Sequence, residues 1–155
     1  GNAFQSGNVP FNDAVPTSSV VGASSANVLS GSNYIYYCWH GVEGYSAFGK
    51  YNANDNADGP FQYCGFRPRL LVIKKLVSGD GWGVWDSERG KFNVIDNILN
   101  WHLTNAESSN SAYNIDFVSN GFKIRSNNAQ INHTSYDPYV WVAWGDVPFK
   151  YSNSF

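Results

Sequence analysis

The stretch Arg69-Leu-Leu-Val-Ile-Lys-Lys-Leu76 is a near-continuous apolar run. A short run without alternation is typical of a β-strand that is buried on both faces. Other strand patterns surround it, and they are rich in aromatic and β-branched residues. They lie at residues 34–39, 45–51, 61–64, 81–86, 115–118, 121–125 and 139–144, with weaker patterns at 19–22 and 27–29.

The close and regular spacing of these strands predicts an all-β fold. We expect an antiparallel two-sheet β-sandwich of jelly-roll or lectin-like type, with little helix. Helix-like spacing occurs only in residues 93–104, where Val94, Ile98 and Trp101 follow one another at steps of four and three. We therefore expect a helical turn or two at residues 94–103, and an ordered loop is the alternative.

The composition describes a chain that carries neutral polar groups in place of charges. Of 155 residues, 14% are charged and 17% are aromatic, and the formal net charge is −2. The ten Lys and Arg residues are scattered. This argues against nucleic-acid binding, because phosphates need a concentrated basic face. No apolar run approaches the roughly 20 residues of a membrane span, so we also expect no membrane insertion.

The two cysteines are expected to be free thiols. Cys38 and Cys64 both lie inside strand-like runs, where a free Cys behaves as a small buried hydrophobe. Closely spaced Cys pairs and His partners, which a metal site would need, are not in the sequence. We expect no metal and no cofactor.

Two aromatic strands of the chain resemble each other. Tyr34-Ile-Tyr-Tyr-Cys-Trp39 is matched 105 residues later by Tyr139-Val-Trp-Val-Ala-Trp144. This internal similarity predicts that two copies of a domain once stood in tandem. Residues 1–40 are then an extended segment that holds the last strands of a preceding repeat, and 41–155 form a single sandwich domain. We expect 34–39 to pair within the same sheet system as 139–144, in one molecule or across an oligomer.

The stretch Asn52-Ala-Asn-Asp-Asn-Ala-Asp-Gly-Pro60 has the composition of a calcium loop. Alternate positions from Asn54 to Asp58 fit the first half of an EF-hand, but the twelfth position is Gly65 instead of a bidentate Glu. A tight site of this type is excluded, whereas a weaker one at Asp55 and Asp58 stays open. We predict a turn between two strands.

Catalytic patterns are weak. Asp86 and Glu88 would share one strand face, as a glycosidase pair would, but Asp86-Ser-Glu-Arg89 also has the pattern of a turn held by an ion pair. His102 follows Trp101, and we interpret it as a packing or surface residue. Asn132-His-Thr134 fits the N-glycosylation pattern. We predict that the chain is not an enzyme.

The tryptophans are the strongest candidates for a binding site. In residues 139–144, alternation places Tyr139 and Trp141 on one face and Trp144 on the other. One face must be core, so at least half of the aromatic residues of this strand are structural. Other tryptophans lie in Gly- or Asn-rich surroundings, where a flat ring can stack on the apolar face of a sugar. The predicted ligand-binding residues are Trp82, Trp85 and Trp101, with Asn54, Asp55 and Asp58 as polar partners.

Several segments together resemble a known phage family. They are Val-Glu-Gly-Tyr-Ser-Ala-Phe-Gly-Lys-Tyr at 42–51, Ala-Asp-Gly-Pro-Phe at 57–61, Tyr-Cys-Gly-Phe-Arg-Pro at 63–68 and Pro-Phe-Lys-Tyr-Ser-Asn at 148–153. The chain resembles a domain of unknown function that recurs, often in tandem, at the C-terminal end of tailed-bacteriophage tail-fibre, tail-spike and other virion proteins. The resemblance implies that Phe155 is a natural C-terminus. It supplies no catalytic motif.

The resemblance implies a virion protein of the phage tail, made in the bacterial cytoplasm. We expect it to bind a bacterial surface glycan or receptor, to contact other virion proteins and to form a homotrimer. One alternative is a purely structural module, a capsid decoration or a fibre-trimerising cap. Another is a polysaccharide-degrading enzyme, which the weak acid pair disfavours.

Overall fold

The computed structural model describes residues 17–21, 33, 37–77, 80–134 and 136–146. The chain divides into two compact units, Ala3–Trp39 and His40–Phe155, the latter with Gly1–Asn2. The division falls beside the predicted boundary at residue 40, and the origin of residues 1–40 in a preceding repeat stays a prediction. In the described part of Ala3–Trp39, residues 19–21 and 37–39 do not form the strands that we expected, and the rest of those patterns lies outside the described residues.

The unit His40–Phe155 is built from short strands in chain order. They are β1 Ser46–Asn52, β2 Phe61–Tyr63, β3 Pro68–Lys75, β4 Trp82–Asp86, β5 Asn97–Asn100, β6 Ser108–Ser109, β7 Ile115–Val118, β8 Gly121–Ile124 and β9 Pro138–Gly145, with a 3-10 turn η1 at Ser111–Tyr113. Among the described residues, η1 is the only helical segment. The all-β prediction is confirmed.

Two antiparallel sheets form the sandwich. The larger sheet has the order β1-β9-β3-β4-β5-β6, and the smaller has the order β2-β8-β7. All pairings between neighbouring strands are antiparallel. The apolar run of β3 lies between β9 and β4, where Leu71, Val72 and Ile73 are buried. The two-faced burial predicted for this strand is confirmed.

Aromatic side chains fill the space between the sheets. Tyr51 of β1 stacks on its register partner Tyr139 of β9, with ring centroids 5.1 Å apart. Burial raises the pKa of Tyr51 well above its usual value. Trp141 of β9 packs edge-on against Phe122 of β8, at 5.4 Å, and this contact joins the two sheets. Its indole Nε1 donates a hydrogen bond to Gln62 Oε1 of β2, at 3.2 Å.

The prediction of a helical turn at residues 94–103 is wrong. Asn97–Asn100 is strand β5, paired with β4 on one side and β6 on the other. Ile98 is buried, but Val94 and Trp101, which would share its helical face, are exposed. Backbone hydrogen bonds to β4 stabilise the strand conformation here. The helical propensity of the segment is weak, because Asn residues interrupt it.

The pairing expected for residues 34–39 is restricted by the sheet order. Strand β9 contains residues 139–144, and both of its edges are already occupied, by β1 and by β3. Among the described residues, β9 therefore has no free edge. Residues 34–36 lie outside the described part of the chain, so pairing elsewhere in the sheet, or across an oligomer, stays a prediction.

Candidate ligand-binding site

Two of the predicted tryptophans lie side by side at one end of the larger sheet. Trp82 opens β4 and Trp101 follows directly after β5, the strand that pairs with it. The backbone N–H of Trp101 donates to the carbonyl of Trp82, at 3.1 Å. The N–H of Trp82 donates to His102 Nδ1, at 3.2 Å. We call Trp82, Trp101 and His102 the tryptophan rim.

The tryptophan rim is accessible and fixed. Trp82 is 39% exposed and Trp101 is 54% exposed. Because two hydrogen bonds join their segments, both indoles start from backbone positions that are already set before a ligand arrives. His102 Nδ1 accepts its hydrogen bond from the backbone at the start of β4. His102 is exposed and bonded to the backbone, as expected of a packing or surface residue, and the two indoles offer apolar faces to solvent.

Trp85 does not belong to this site, and its assignment as a ligand-stacking residue is wrong. Its side chain is fully buried in the core. The indole Nε1 donates to the carbonyl of Tyr113 in η1, at 3.0 Å, so the one polar atom of the ring is satisfied inside the protein. Trp85 is three positions after Trp82 on β4, and successive strand residues point to opposite faces.

The Asn-rich stretch is a turn, as predicted, and a buried amide closes it. Asn132 is fully buried. Its Oδ1 accepts from the N–H of Asn54, at 2.9 Å, and its Nδ2 lies within 3.0 Å of Asn54 Oδ1, Asn56 O and Ser126 O. The amide nitrogen to which a glycan would be attached is therefore occupied, which rules out glycosylation of the folded domain at Asn132.

Side-chain oxygens of Asn54, Asn56 and Asp58 in this turn are bonded within the protein. Asn54 Oδ1 accepts from the N–H of Asn56, and Asn56 Oδ1 accepts from the N–H of Asp58. Asp58 Oδ1 pairs with Lys123 Nζ, at 2.8 Å. This hydrogen bond, with the charge of Lys123, lowers the pKa of Asp58. Among the described residues no cluster of three or more His, Cys, Asp or Glu could hold a metal ion.

The predicted polar partners lie apart from the tryptophan rim. Asn54, Asp55 and Asp58 belong to the loop between β1 and β2, and Asp58 is bonded to β8 of the smaller sheet. The rim belongs to β4 and β5 of the larger sheet, and β9 and β3 separate β4 from β1. The single site that we predicted is therefore divided between two regions.

The carboxylates considered for catalysis hold a turn. Asp86 Oδ2 pairs with Arg89 Nε, and its Oδ1 accepts from the N–H groups of Glu88 and Arg89. Burial opposes the charge of Asp86, but the hydrogen bonds of Arg89 and Glu88 outweigh it and lower the pKa of the carboxyl. Glu88 is bound to Arg69, at 3.0 Å. The interpretation as a turn is confirmed.

The two cysteines differ in environment. Cys64 is buried, its Sγ donates to the carbonyl of Phe66 at 3.1 Å, and burial raises the pKa of the thiol. Cys38 is exposed, contrary to the expected burial. Both are free thiols in the structure.

Sequence reasoning missed two exposed aromatic residues on β2. Phe61 and Tyr63 are 45% and 68% exposed, and Gln62 between them points into the sandwich toward Trp141. The available signal was the alternation Phe-Gln-Tyr in a short strand, which places both rings on one face.

Comparison with known proteins assigns the chain to a family without naming an activity. The family described as "Domain of unknown function (DUF7483)" matches residues 1–148, and the chain belongs to this family. No curated protein and no solved structure matches the chain. In the described part of the chain, no helix is long and apolar enough to cross a bilayer.

Proposed function

We propose that this chain is a receptor-binding domain of a tailed-bacteriophage tail-fibre or tail-spike protein, and that it binds a glycan on the host-cell surface. The observation that carries the proposal is the tryptophan rim. Two exposed indoles, at the start of β4 and directly after β5, offer flat apolar surface, and hydrogen bonds of both backbone N–H groups hold their segments in place. A sugar ring presents an apolar face and a rim of hydroxyl groups, and it matches such a surface.

The placement in a virion rests on the sequence resemblance, and three further properties support it. The described domain is an antiparallel sandwich, which presents loops and strand ends to a surface. Only 14% of residues are charged. The carboxylates weighed for catalysis are engaged in structural pairs, which supports a binding role over hydrolysis.

The experiment is binding of the purified domain to host cells and to an array of bacterial surface glycans. Wild type is compared with the variant carrying Trp82→Ala and Trp101→Ala, and with Phe92→Ala as a matched control, since Phe92 is also an exposed aromatic residue. We expect the double variant to bind on the order of tenfold or more weakly, and the control to bind as wild type. Equal binding by all three proteins would contradict the assignment of the rim.

We further propose that the domain works as a homotrimer within a fibre. Sedimentation equilibrium of the 155-residue chain measures this directly. Deleting residues 1–40 tests the role of the N-terminal segment, and we expect the truncated protein to be insoluble or less stable. A truncated monomer with an unchanged melting temperature would identify residues 1–40 as a dispensable linker.

A further inference from the structure

The outer face of the smaller sheet carries two aromatic rings in a fixed position. Gln62 anchors the middle of β2 inside the sandwich through its bond to Trp141, so Phe61 and Tyr63 must point outward. Opposite them on β8 lie Lys123 and Gly121, as register partners of Phe61 and Tyr63. The two rings therefore occupy one side of a three-stranded surface.

Both rings lie against glycine, which leaves room for them close to the backbone. A side chain at Gly121 would start 3.1 Å from a ring carbon of Phe61 and 2.0 Å from the carbonyl oxygen of Gln62. Gly65, at φ +84°, lies beside Tyr63, whose hydroxyl is 3.6 Å from the position that an added Cβ would take. With glycine on one side and solvent on the other, each ring can present a flat face to a ligand.

The charges beside these rings neutralise one another. Asp58 pairs with Lys123 at 2.8 Å and lies 3.5 Å from Arg125, and Arg125 pairs with Asp116 at 2.6 Å. Two cations thus face two carboxylates. Phosphate-rich ligands need uncompensated positive charge, so this arrangement disfavours nucleic acid. It offers several donors and acceptors to a neutral ligand that is rich in hydroxyl groups.

A groove continues from Tyr63 toward the start of β1. It has a volume of about 740 Å³ and lies between residues 63–65 and the segment 41–48, which runs into β1. Its lining includes the rings of Tyr63 and Phe48, the carboxylate-bearing residue Glu43 and the bare backbone of Gly44. The volume falls in the range of small-ligand sites, roughly 300–1,000 Å³. Tyr63 belongs to both the outer face and the groove, so one extended ligand can occupy both.

We propose that Phe61, Tyr63 and this groove form a second saccharide site, distinct from the tryptophan rim, which takes a neutral oligosaccharide. The rings stack on successive sugar units, the ion-paired side chains around Lys123 bond to hydroxyl groups at one end, and Glu43 does so at the other. The site goes beyond the proposed function, because its residues belong to β2 and the β1 edge, away from β4 and β5.

The probes are an array of neutral and acidic bacterial oligosaccharides and, separately, a single-stranded oligothymidylate. The proteins are wild type, Phe61→Ala, Tyr63→Ala and Tyr63→Ile, with Phe92→Ala as the control for loss of an exposed ring. Isoleucine keeps the strand preference of the position while it removes the flat ring, so Tyr63→Ile stays informative if the alanine variant unfolds. The variant with Trp82→Ala and Trp101→Ala reports on the rim in the same assay.

We expect wild type to retain neutral oligosaccharides, and both Tyr63 variants to bind on the order of tenfold more weakly. We expect the rim variant to keep binding those neutral oligosaccharides that depend on Tyr63, although it loses the glycans that bind to the rim. The proposal is overturned if folded Phe61 and Tyr63 variants bind like wild type, if no neutral oligosaccharide is retained, or if oligothymidylate is bound instead. Loss of binding in the rim variant alone would sustain the proposed function and overturn the second site.

Discussion

The two tryptophans of strand β4 have opposite environments although they are three residues apart. Trp82 is at the start of the strand with its indole partly in solvent, whereas Trp85 is fully buried and bonded to Tyr113. Both lie within two positions of Gly83, so a glycine nearby does not distinguish them. Alternation places Trp85 on the core face and Trp82 on the opposite face. Trp82 is exposed there because it lies at the start of the strand, whereas Val84 on the same face is buried.

The same rule holds in β9, where it was applied correctly. Tyr139, Trp141 and Ala143 are buried between the sheets, whereas Val140, Val142 and Trp144 are only half-buried on the opposite side. Alternation predicted this division from the sequence. In β4 the Gly-rich surroundings favour exposure of both tryptophans, but Trp85 is fully buried because alternation places it on the core face. Whether a tryptophan in a sheet is exposed is therefore predicted better by the sheet face on which it lies than by the composition of the residues beside it.

The largest expected effect follows from replacing the buried member of this pair. Trp85→Ala should lower the free energy of unfolding by about 3–5 kcal/mol, because it leaves a cavity and an unpaired carbonyl at Tyr113. Trp82→Ala is the matched control and should cost at most about 1 kcal/mol. Urea denaturation followed by circular dichroism measures both. Similar losses for the two variants would break the comparison.

The buried amide of Asn132 should have the next largest effect. Asn132→Ala removes the partner of the Asn54 N–H and of two carbonyls, and it should destabilise the domain by about 2–3 kcal/mol. Asn105→Ala, at an exposed position, should change stability by less than about 0.5 kcal/mol. Thermal unfolding monitored by fluorescence compares them. A neutral Asn132→Ala would show that the turn is held by its own hydrogen bonds.

The close approach at Gly121 should give a smaller loss. A methyl group there would collide with Phe61 and with the Gln62 carbonyl, and Gly121→Ala should therefore cost about 1–3 kcal/mol. The same change at Gly44, where an added Cβ meets nothing within 4 Å, introduces no such collision. It still carries strain, because Gly44 is at φ +75°. The denaturation midpoint of Gly121→Ala reports the cost of the collision, and that of Gly44→Ala reports the cost of backbone strain. A harmless Gly121→Ala would argue against Phe61 lying over that glycine.

Acid should weaken the domain modestly. The pKa values of Asp58 and Asp86 are lowered from 3.8, so their contribution to stability is complete above pH 3.8 and is lost as the pH falls through the folded values. The melting temperature should therefore fall between roughly pH 4 and pH 2. Asp86→Asn should reduce this dependence. A melting temperature that rises on acidification would contradict the assigned ion pairs.

Much of the fold was predictable because strand patterning acts locally. Strands β1, β2, β3, β4, β7, β8 and β9 follow from apolar runs and alternation. Strand β5 was not predicted because Asn97 and Asn100 at its ends have low strand propensity. Strand β6 was not predicted because Ser108 and Ser109 are not apolar. Their strand geometry comes from pairing with β4 and with each other, a non-local effect.

The candidate site was predictable only in part. Trp82 and Trp101 were found, because exposed aromatic residues in polar surroundings are visible in the sequence. Asp58 binds Lys123 and does not lie at the rim. This contact depends on how β1, β2 and β8 assemble, which the sequence does not show. The close contact of Phe61 with Gly121 likewise joins two strands that lie far apart in the sequence.

The most direct test of glycan binding by the tryptophan rim is solution NMR of the indole Nε1–H signals during titration with glycans from the host surface. We expect the chemical shifts of the Trp82 and Trp101 signals to change and to reach saturation as glycan is added. The signals of Trp85 and Trp141, whose Nε1–H groups are bonded to Tyr113 and Gln62 inside the core, should stay in place. The account is contradicted if host glycans leave the signals of Trp82 and Trp101 unchanged, or if they move all four signals alike.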